Sequence, residues 1–313
     1  MKQTYILTSL LCLTTLLMPG CTSPIGSGDD PSPSTLAINF GTPQADTRAA
    51  VNSSADMGEF SVWGGYDGNA SNVFNQVTVH SPGWTYDGGT RYWISGKTYN
   101  FYAVHPAGLN NVSVDNSGTI TVNDFDCSKT GNEAVDLMTA RATGLKGSEA
   151  PTVGLKFGHE LAQVNFQAKT QGSKVTITSF KINGVSYAGD FSQQPSSESA
   201  QWTPKKVTNA GDGIFSVTNI MIENTTDLLS NILILPQQLE TGKQQLAINF
   251  RYDGETTDRT QTIDLCIENS ITEWTASQSY TYTLDLRTAS LTLTVTIQDW
   301  MKENADVTWD PSK

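Results

Sequence analysis

An all-β fold follows from three properties of this 313-residue chain. Apolar residues recur with period two in many short runs, turn dipeptides separate those runs, and no stretch of twelve residues carries a helical apolar stripe. Composition agrees. Charged residues are only 16% of the chain, below the roughly 25% of an average soluble domain. The polar weight falls on Thr, Ser, Asn and Gln, which suit strands and turns better than helices.

Each run can be read in order. Leu36, Ile38 and Phe40 alternate with Ala37 and Asn39, then come Tyr99/Phe101/Ala103, Val153/Leu155/Phe157, and Leu246/Ile248/Phe250/Tyr252. In the last run, Leu291, Leu293, Val295 and Ile297 face one way and Ser290, Thr292, Thr294 and Thr296 the other, the pattern of a half-exposed sandwich strand. Asp67-Gly68, Asp87-Gly88, Asn183-Gly184 and Asp253-Gly254 supply the turns. Ile232 to Leu235 is apolar on both faces and stops at Pro236, which predicts a central strand. Apolar parity switches near Ala162-Gln163 and again at Thr178-Ser179, so a bulge or short irregular turn is expected at each.

The first twenty residues read as an export signal. Lys2 is followed by a mostly apolar stretch from Tyr5 to Met18, about 21 Å long as a helix and too short for a bilayer core of about 30 Å. It ends at Met18-Pro19-Gly20-Cys21, which resembles a bacterial lipoprotein processing site with Cys21 as the lipidated residue. Met18 and Pro19 depart from that pattern, and an ordinary signal peptide followed by a chance cysteine is the alternative. Residues 21–34, rich in Ser, Gly and Pro, read as a flexible tether. With Cys12 in the signal and Cys21 acylated, only Cys127 and Cys266 remain, and they are expected to be unpaired. A domain boundary is expected near Gly147–Pro151, giving residues 35–149 and 150–313 as two β-domains.

The chemistry that residues could carry is sparse. A net charge of −12 with 19 scattered basic residues disfavours nucleic acid. His80, His105 and His159 have no neighbouring ligands in sequence, so no metal site, cofactor site or catalytic set is expected, and His159 reads as a packed strand histidine. Asp124 with Asp126, and Asp253 with Glu255, match no ligand motif and read as solvated loop acids. No spacing offers the two positioned carboxylates of a glycosidase. Of the seven tryptophans, most read as core residues, with Trp84 and Trp93 as candidates for a sugar platform.

Several motifs together resemble the fimbrillin family, the pilins and related surface lipoproteins of Bacteroidetes type V pili. They are Cys21, Thr47-Arg48-Ala49, the run Lys97 to Pro106, Asp136-Leu137-Met138-Thr139-Ala140, the stretch Leu155 to Phe166, and Ile297-Gln298-Asp299-Trp300. The most specific is the Phe157-x-His159-x-Leu161-Ala162-x-Val164-x-Phe166 pattern. The resemblance implies two tandem β-sandwich domains of transthyretin-like topology, no enzyme activity and a place on the outer membrane, held by the lipid anchor. It further implies that an arginine-specific protease removes an N-terminal strand, and that a neighbouring pilin subunit donates a strand to the groove left behind. Arg48 is the only Lys or Arg between residues 3 and 90, so the exposed arm offers one cleavage point, before Ala49. On that reading Leu36, Ile38 and Phe40 form the displaced strand. Ala305, Val307 and Trp309, which alternate with Asp306, Thr308 and Asp310, are the candidate donor. Few residues follow Trp300, which leaves stalk, tip and anchor positions open. A surface glycan-binding adhesin that does not polymerise is the alternative, and a host protein or glycan is the receptor to be sought in either case.

Overall fold

A computed structural model of the chain describes residues 36–42, 44–45, 57–196, 200–287 and 290–300. The expected signal, Cys21, the tether, Arg48-Ala49 and the Ala305/Val307/Trp309 segment lie outside these residues. The described residues form strands and their connections with no α-helix, and a 3₁₀ turn lies at Gly131–Glu133. Among the described residues no helix is long and apolar enough to cross a membrane.

A seven-stranded sheet organises the N-terminal part. Its order is Gln44–Ala45, Lys156–His159, Met138–Lys146, Thr98–His105, Phe60–Tyr66, Phe74–His80 and Thr85–Tyr86. The strand Thr98–His105 shows why its sequence is so apolar. Tyr99, Phe101 and Ala103 point into one core with Phe60, Phe74 and Phe157. Tyr102 and Val104 point into a second core with Ile120, Val122 and Phe191. Both faces are buried, and the alternation names which residues go where.

The C-terminal part is a sandwich. One sheet runs Thr226–Ile234, Ala162–Lys169, Gln278–Arg287 and Ser290–Asp299, and the facing sheet is built on Val175–Asn183, Gln245–Tyr252 and Arg259–Asp264. Phe166, Phe180, Ile248, Trp274 and Tyr282 fill the space between them. A third sheet, Gln201–Val207, Ser186–Gln193, Ile120–Asp126 and Val112–Val114, takes strands from both sides of the Gly147–Pro151 segment. Hydrogen-bonded ladders, not packing alone, therefore join the two parts.

The parity switches have two different causes. At Thr178 the register of pairing with Gln245–Tyr252 shifts between Ile177 and Ser179, a bulge as expected. Near Ala162 the chain instead changes sheets. Lys156–His159 pairs with Met138–Thr139, whereas Ala162–Lys169 pairs with Thr226–Ile234 and Gln278–Arg287. Ile232 to Leu235 is buried on both faces as expected, but the strand lies at the edge of its sheet and not at its centre. Ile232 and Ile234 enter the sandwich core while Leu233 and Leu235 enter the core between the two parts. Double-sided burial comes from a third layer, which a single-sequence pattern cannot distinguish from central position.

Two turns justify their glycines. Asp67 and Gly68 both have positive φ (55° and 74°), as a tight primed turn requires. Gly184 has φ of 75°, and a Cβ there would lie 2.0 Å from the Lys243 carbonyl oxygen.

Candidate functional site

The N-terminal arm, described at residues 36–42 and 44–45, is tied into the fold by isolated bridges at Ala37 and Phe40 and by the two-residue strand Gln44–Ala45. Ile38 donates its N–H to the Arg91 carbonyl at 2.8 Å, and Trp93 donates to the Leu36 carbonyl at 2.8 Å. On the other side Gly41 donates to Val153 at 3.0 Å and Val153 donates to Asn39 at 2.8 Å. Gln44 and Ala45 then pair in parallel with Lys156 and Phe157. The arm thus occupies a slot with the 91–93 segment as one wall and residues 153–157 as the other. Ile38 is fully buried and Phe40 is 7% exposed, whereas Leu36 is only half-buried. Two of the three alternating side chains carry the plug.

Phe40 sits in an aromatic box. Its ring makes edge contacts with Phe60, Phe74, Tyr86 and Phe101 at centroid distances of 6.2, 5.5, 5.9 and 6.0 Å. Such pairs add about 0.5–1.5 kcal/mol each beyond area burial, and burying Ile38 and Phe40 contributes about 1.5–3 kcal/mol each. The wall beside them is braced by Arg91. Its guanidinium lies 4.5 Å from the Phe74 ring centroid and its Nε donates to the Val73 carbonyl at 2.7 Å. Tyr86 completes the brace by donating its hydroxyl to the Ile38 carbonyl at 3.0 Å.

A second cluster lies where the two parts meet, and three separated motifs converge there. His159 Nδ1 is 2.8 Å from Asp136 Oδ2, an ion-pair distance without in-line hydrogen-bond geometry. The Trp300 indole stacks on the His159 ring at 3.8 Å with planes 9° apart. Trp300 also donates its backbone N–H to Ser277 at 2.9 Å, and the Ser277 hydroxyl donates to the His159 carbonyl at 2.9 Å. The strand Lys156–His159 therefore touches the arm at one end and the last described residue at the other. His105 lies buried beside this group, and desolvation holds its pKa below the ordinary value against the opposing pull of Asp136.

Glu160 is the buried acid of the junction. Desolvation raises its pKa to about 7, against hydrogen bonds from Thr139 and Gln193 and the charges of Arg141 and His159. Thr139 Oγ1 lies 2.5 Å from Glu160 Oε1 and 2.9 Å from Gln193 Oε1, while Gln193 Nε2 donates to Glu160 Oε1 at 3.3 Å. A threonine hydroxyl has one proton. Both of its contacts are satisfied together when Glu160 is protonated and donates to Thr139, which then donates to Gln193. Trp202 closes the group by donating Nε1–H to the Glu160 carbonyl at 3.0 Å. These residues line an open crevice of about 1110 Å³.

Other sequence candidates resolve into structural pairs. His159 is packed in a strand, as expected. Asp124 and Asp126 are strand residues and not loop acids. Each reaches over the intervening strand Ser186–Gln193 to a lysine, Asp124 to Lys205 at 2.6 Å and Asp126 to Lys206 at 3.1 Å. Glu255 pairs with Arg259 at 2.5 Å. His80 stands between Glu59 and Asp87 at 2.7 and 3.0 Å. Cys127 and Cys266 are free thiols, the first buried and the second half-buried. Trp93 is 3% exposed in the core under the arm, and Trp84 is half-buried against Phe60, in keeping with the reading of most tryptophans as core residues. Trp93 faces the N-terminal core because the 91–93 segment is a wall of the slot. Among the described residues no group of three His, Cys, Asp or Glu could hold a metal ion.

The profile of the fimbrillin-like family matches residues 47–300, and the chain belongs to that family. Solved structures share the fold. A candidate cell adhesion protein of Bacteroides uniformis aligns with a TM-score of 0.54 at 18% identity, covering 85% of this chain and 99% of its own. A fimbrial protein of Bacteroides vulgatus gives 0.53 at 18% identity, covering 85% and 100%. A candidate cell adhesion protein of Bacteroides ovatus gives 0.52 at 14% identity, covering 86% and 98%. No curated protein matches the sequence. The family match begins at Thr47, just after the arm, and ends on Trp300.

Proposed function

We propose that this chain is a structural subunit of a cell-surface fimbria that supports adhesion. It is delivered to the outer membrane as a lipoprotein through Cys21 and made competent for assembly by cleavage between Arg48 and Ala49. Family membership supports the fimbrial class. The observation that carries the mechanism is the seating of Ile38 and Phe40 as core residues of a segment hydrogen-bonded on both sides.

While covalently attached, that segment competes for its slot as an intramolecular ligand at an effective concentration in the millimolar range. Cutting the link turns it into a dissociable peptide with no gain in contacts, so a neighbour's strand can replace it. The vacated slot would present unpaired backbone groups along 91–93 and 153–157 and an open aromatic box, which favours recapture of any alternating strand. Ala305, Val307 and Trp309 of another subunit have that alternation. The partners of this reading are other fimbrial subunits and an arginine-specific protease, and the subunit itself performs no catalysis.

The test treats the purified full chain with an arginine-specific protease. Amino-terminal sequencing should give Ala49 as the new first residue, and gel electrophoresis should then show SDS-resistant ladders with fibres visible by electron microscopy. Cleavage scattered elsewhere, or clean cleavage that leaves the arm in place and the protein monomeric, would remove the basis for strand replacement.

A further inference from the structure

Among the described residues, the sheet edges other than Ser290–Asp299 are short, interrupted or charged. The strands Gln44–Ala45, Thr85–Tyr86, Val112–Val114 and Ser216–Val217 are too short to template another chain. Gln201–Val207 carries Pro204, Lys205 and Lys206 and two register shifts. Arg259–Asp264 begins on a cation. Thr226–Ile234 is irregular against its partner, with two register shifts, and is buried on both faces at its C-terminal end. Ser290–Asp299 has none of these devices. All ten of its residues pair in unbroken register with Gln278–Arg287, and nothing among the described residues pairs its other side. It contains no proline and no cation, and its only charge is Asp299 at the end.

The same strand is complementary to itself. Run antiparallel against a second copy about an axis at Thr294, it sets Leu293 opposite Val295, Leu291 opposite Ile297, and Thr292 opposite Thr296. Apolar residues meet apolar residues and threonines meet threonines, pairs that stabilise antiparallel ladders. No charge lies within the overlapped segment. Ile297, 45% exposed in the single chain, would gain a cross-strand partner. Such a contact is isologous and closes at two copies.

We propose that two copies of this chain associate through Ser290–Asp299, edge to edge, joining their four-stranded sheets into one continuous eight-stranded sheet. The contact needs neither cleavage at Arg48 nor an empty slot, so it is independent of strand replacement and can be tested on the uncleaved chain.

The experiment is sedimentation velocity on the full chain carrying Cys21→Ser, which removes the expected acylation site, without protease and up to about 100 μM. A concentration-dependent dimer is expected. Thr294 is exposed, so Thr294→Lys and Thr294→Glu should fold normally by circular dichroism. Each places two like charges across the axis and should weaken the dimer about fivefold or more, while an equimolar mixture of the two variants should restore it. A wild-type chain that stays monomeric, a dimer indifferent to both substitutions, a mixture that does not recover, or open-ended oligomers in place of dimers would each overturn the proposal.

Discussion

At the scale of single residues, Glu160 shows how burial converts a carboxylate into a pH-dependent element. Its folded pKa of about 7 exceeds that of the unfolded chain, which lies near 4.3. Between these values the folded state binds a proton that the unfolded state has released, so stability falls as pH rises through that window. Below it both states are protonated, and above it the full cost, about 4 kcal/mol, is present. Glu160→Gln supplies a permanent donor to Thr139 and should flatten the profile. Urea unfolding should find the variant equal to wild type near pH 4 and more stable near pH 8. Equal profiles at both ends would mean that the acid is already ionised in the fold. The sequence showed His159 and Glu160 as polar residues inside an apolar run, which is the signature of buried polar groups. It did not show their partners, because Asp136 and Thr139, Gln193, and Trp300 arrive from three other places in the chain.

At the scale of elements, the arm is the segment whose energetics matter most. Phe40→Ala would empty the aromatic box and should cost about 3–5 kcal/mol in the uncleaved chain. Leu36→Ala, at a half-buried position, should cost clearly less, and urea midpoints of the two variants will rank them. Comparable losses would show that the plug is distributed along the arm. The arm's alternation was legible because a strand with one buried face must alternate. Its neighbours were not, since the 91–93 and 153–157 walls are separated by some sixty residues and one runs antiparallel to the arm while the other is parallel. Turn chemistry was readable one residue at a time. Gly184→Ala should be strongly destabilising, about 2 kcal/mol or more from the left-handed backbone and the close Lys243 carbonyl together, with thermal unfolding as the measurement.

At the scale of the whole molecule, three cores are linked through shared strands, and the strand Lys156–His159 connects the arm to Trp300. Trp300→Ala would remove the cover from His159 and leave a cavity in the core that also holds Leu137, Leu161 and Leu235, for a loss of about 3–5 kcal/mol. Because those residues come from both parts of the chain, the loss should appear in a single cooperative transition. Two separated transitions would show that the ladders of the mixed sheet do not couple the parts.

Local rules fixed much of this protein in advance. Period-two alternation and turn dipeptides determined that it is all β, which faces of most strands are buried, and where two of its irregularities fall. The motif order determined its family. Tertiary structure alone decided that the strand Thr226–Ile234 lies at a sheet edge, that Trp93 walls a slot, that Asp124 and Asp126 meet lysines, and that Asp136, His159 and Trp300 form one cluster. The reason is the range of the forces involved. Alternation reflects each residue's own choice between water and a core, whereas pairing across a ladder or a junction depends on chain segments that only folding brings within a few ångströms.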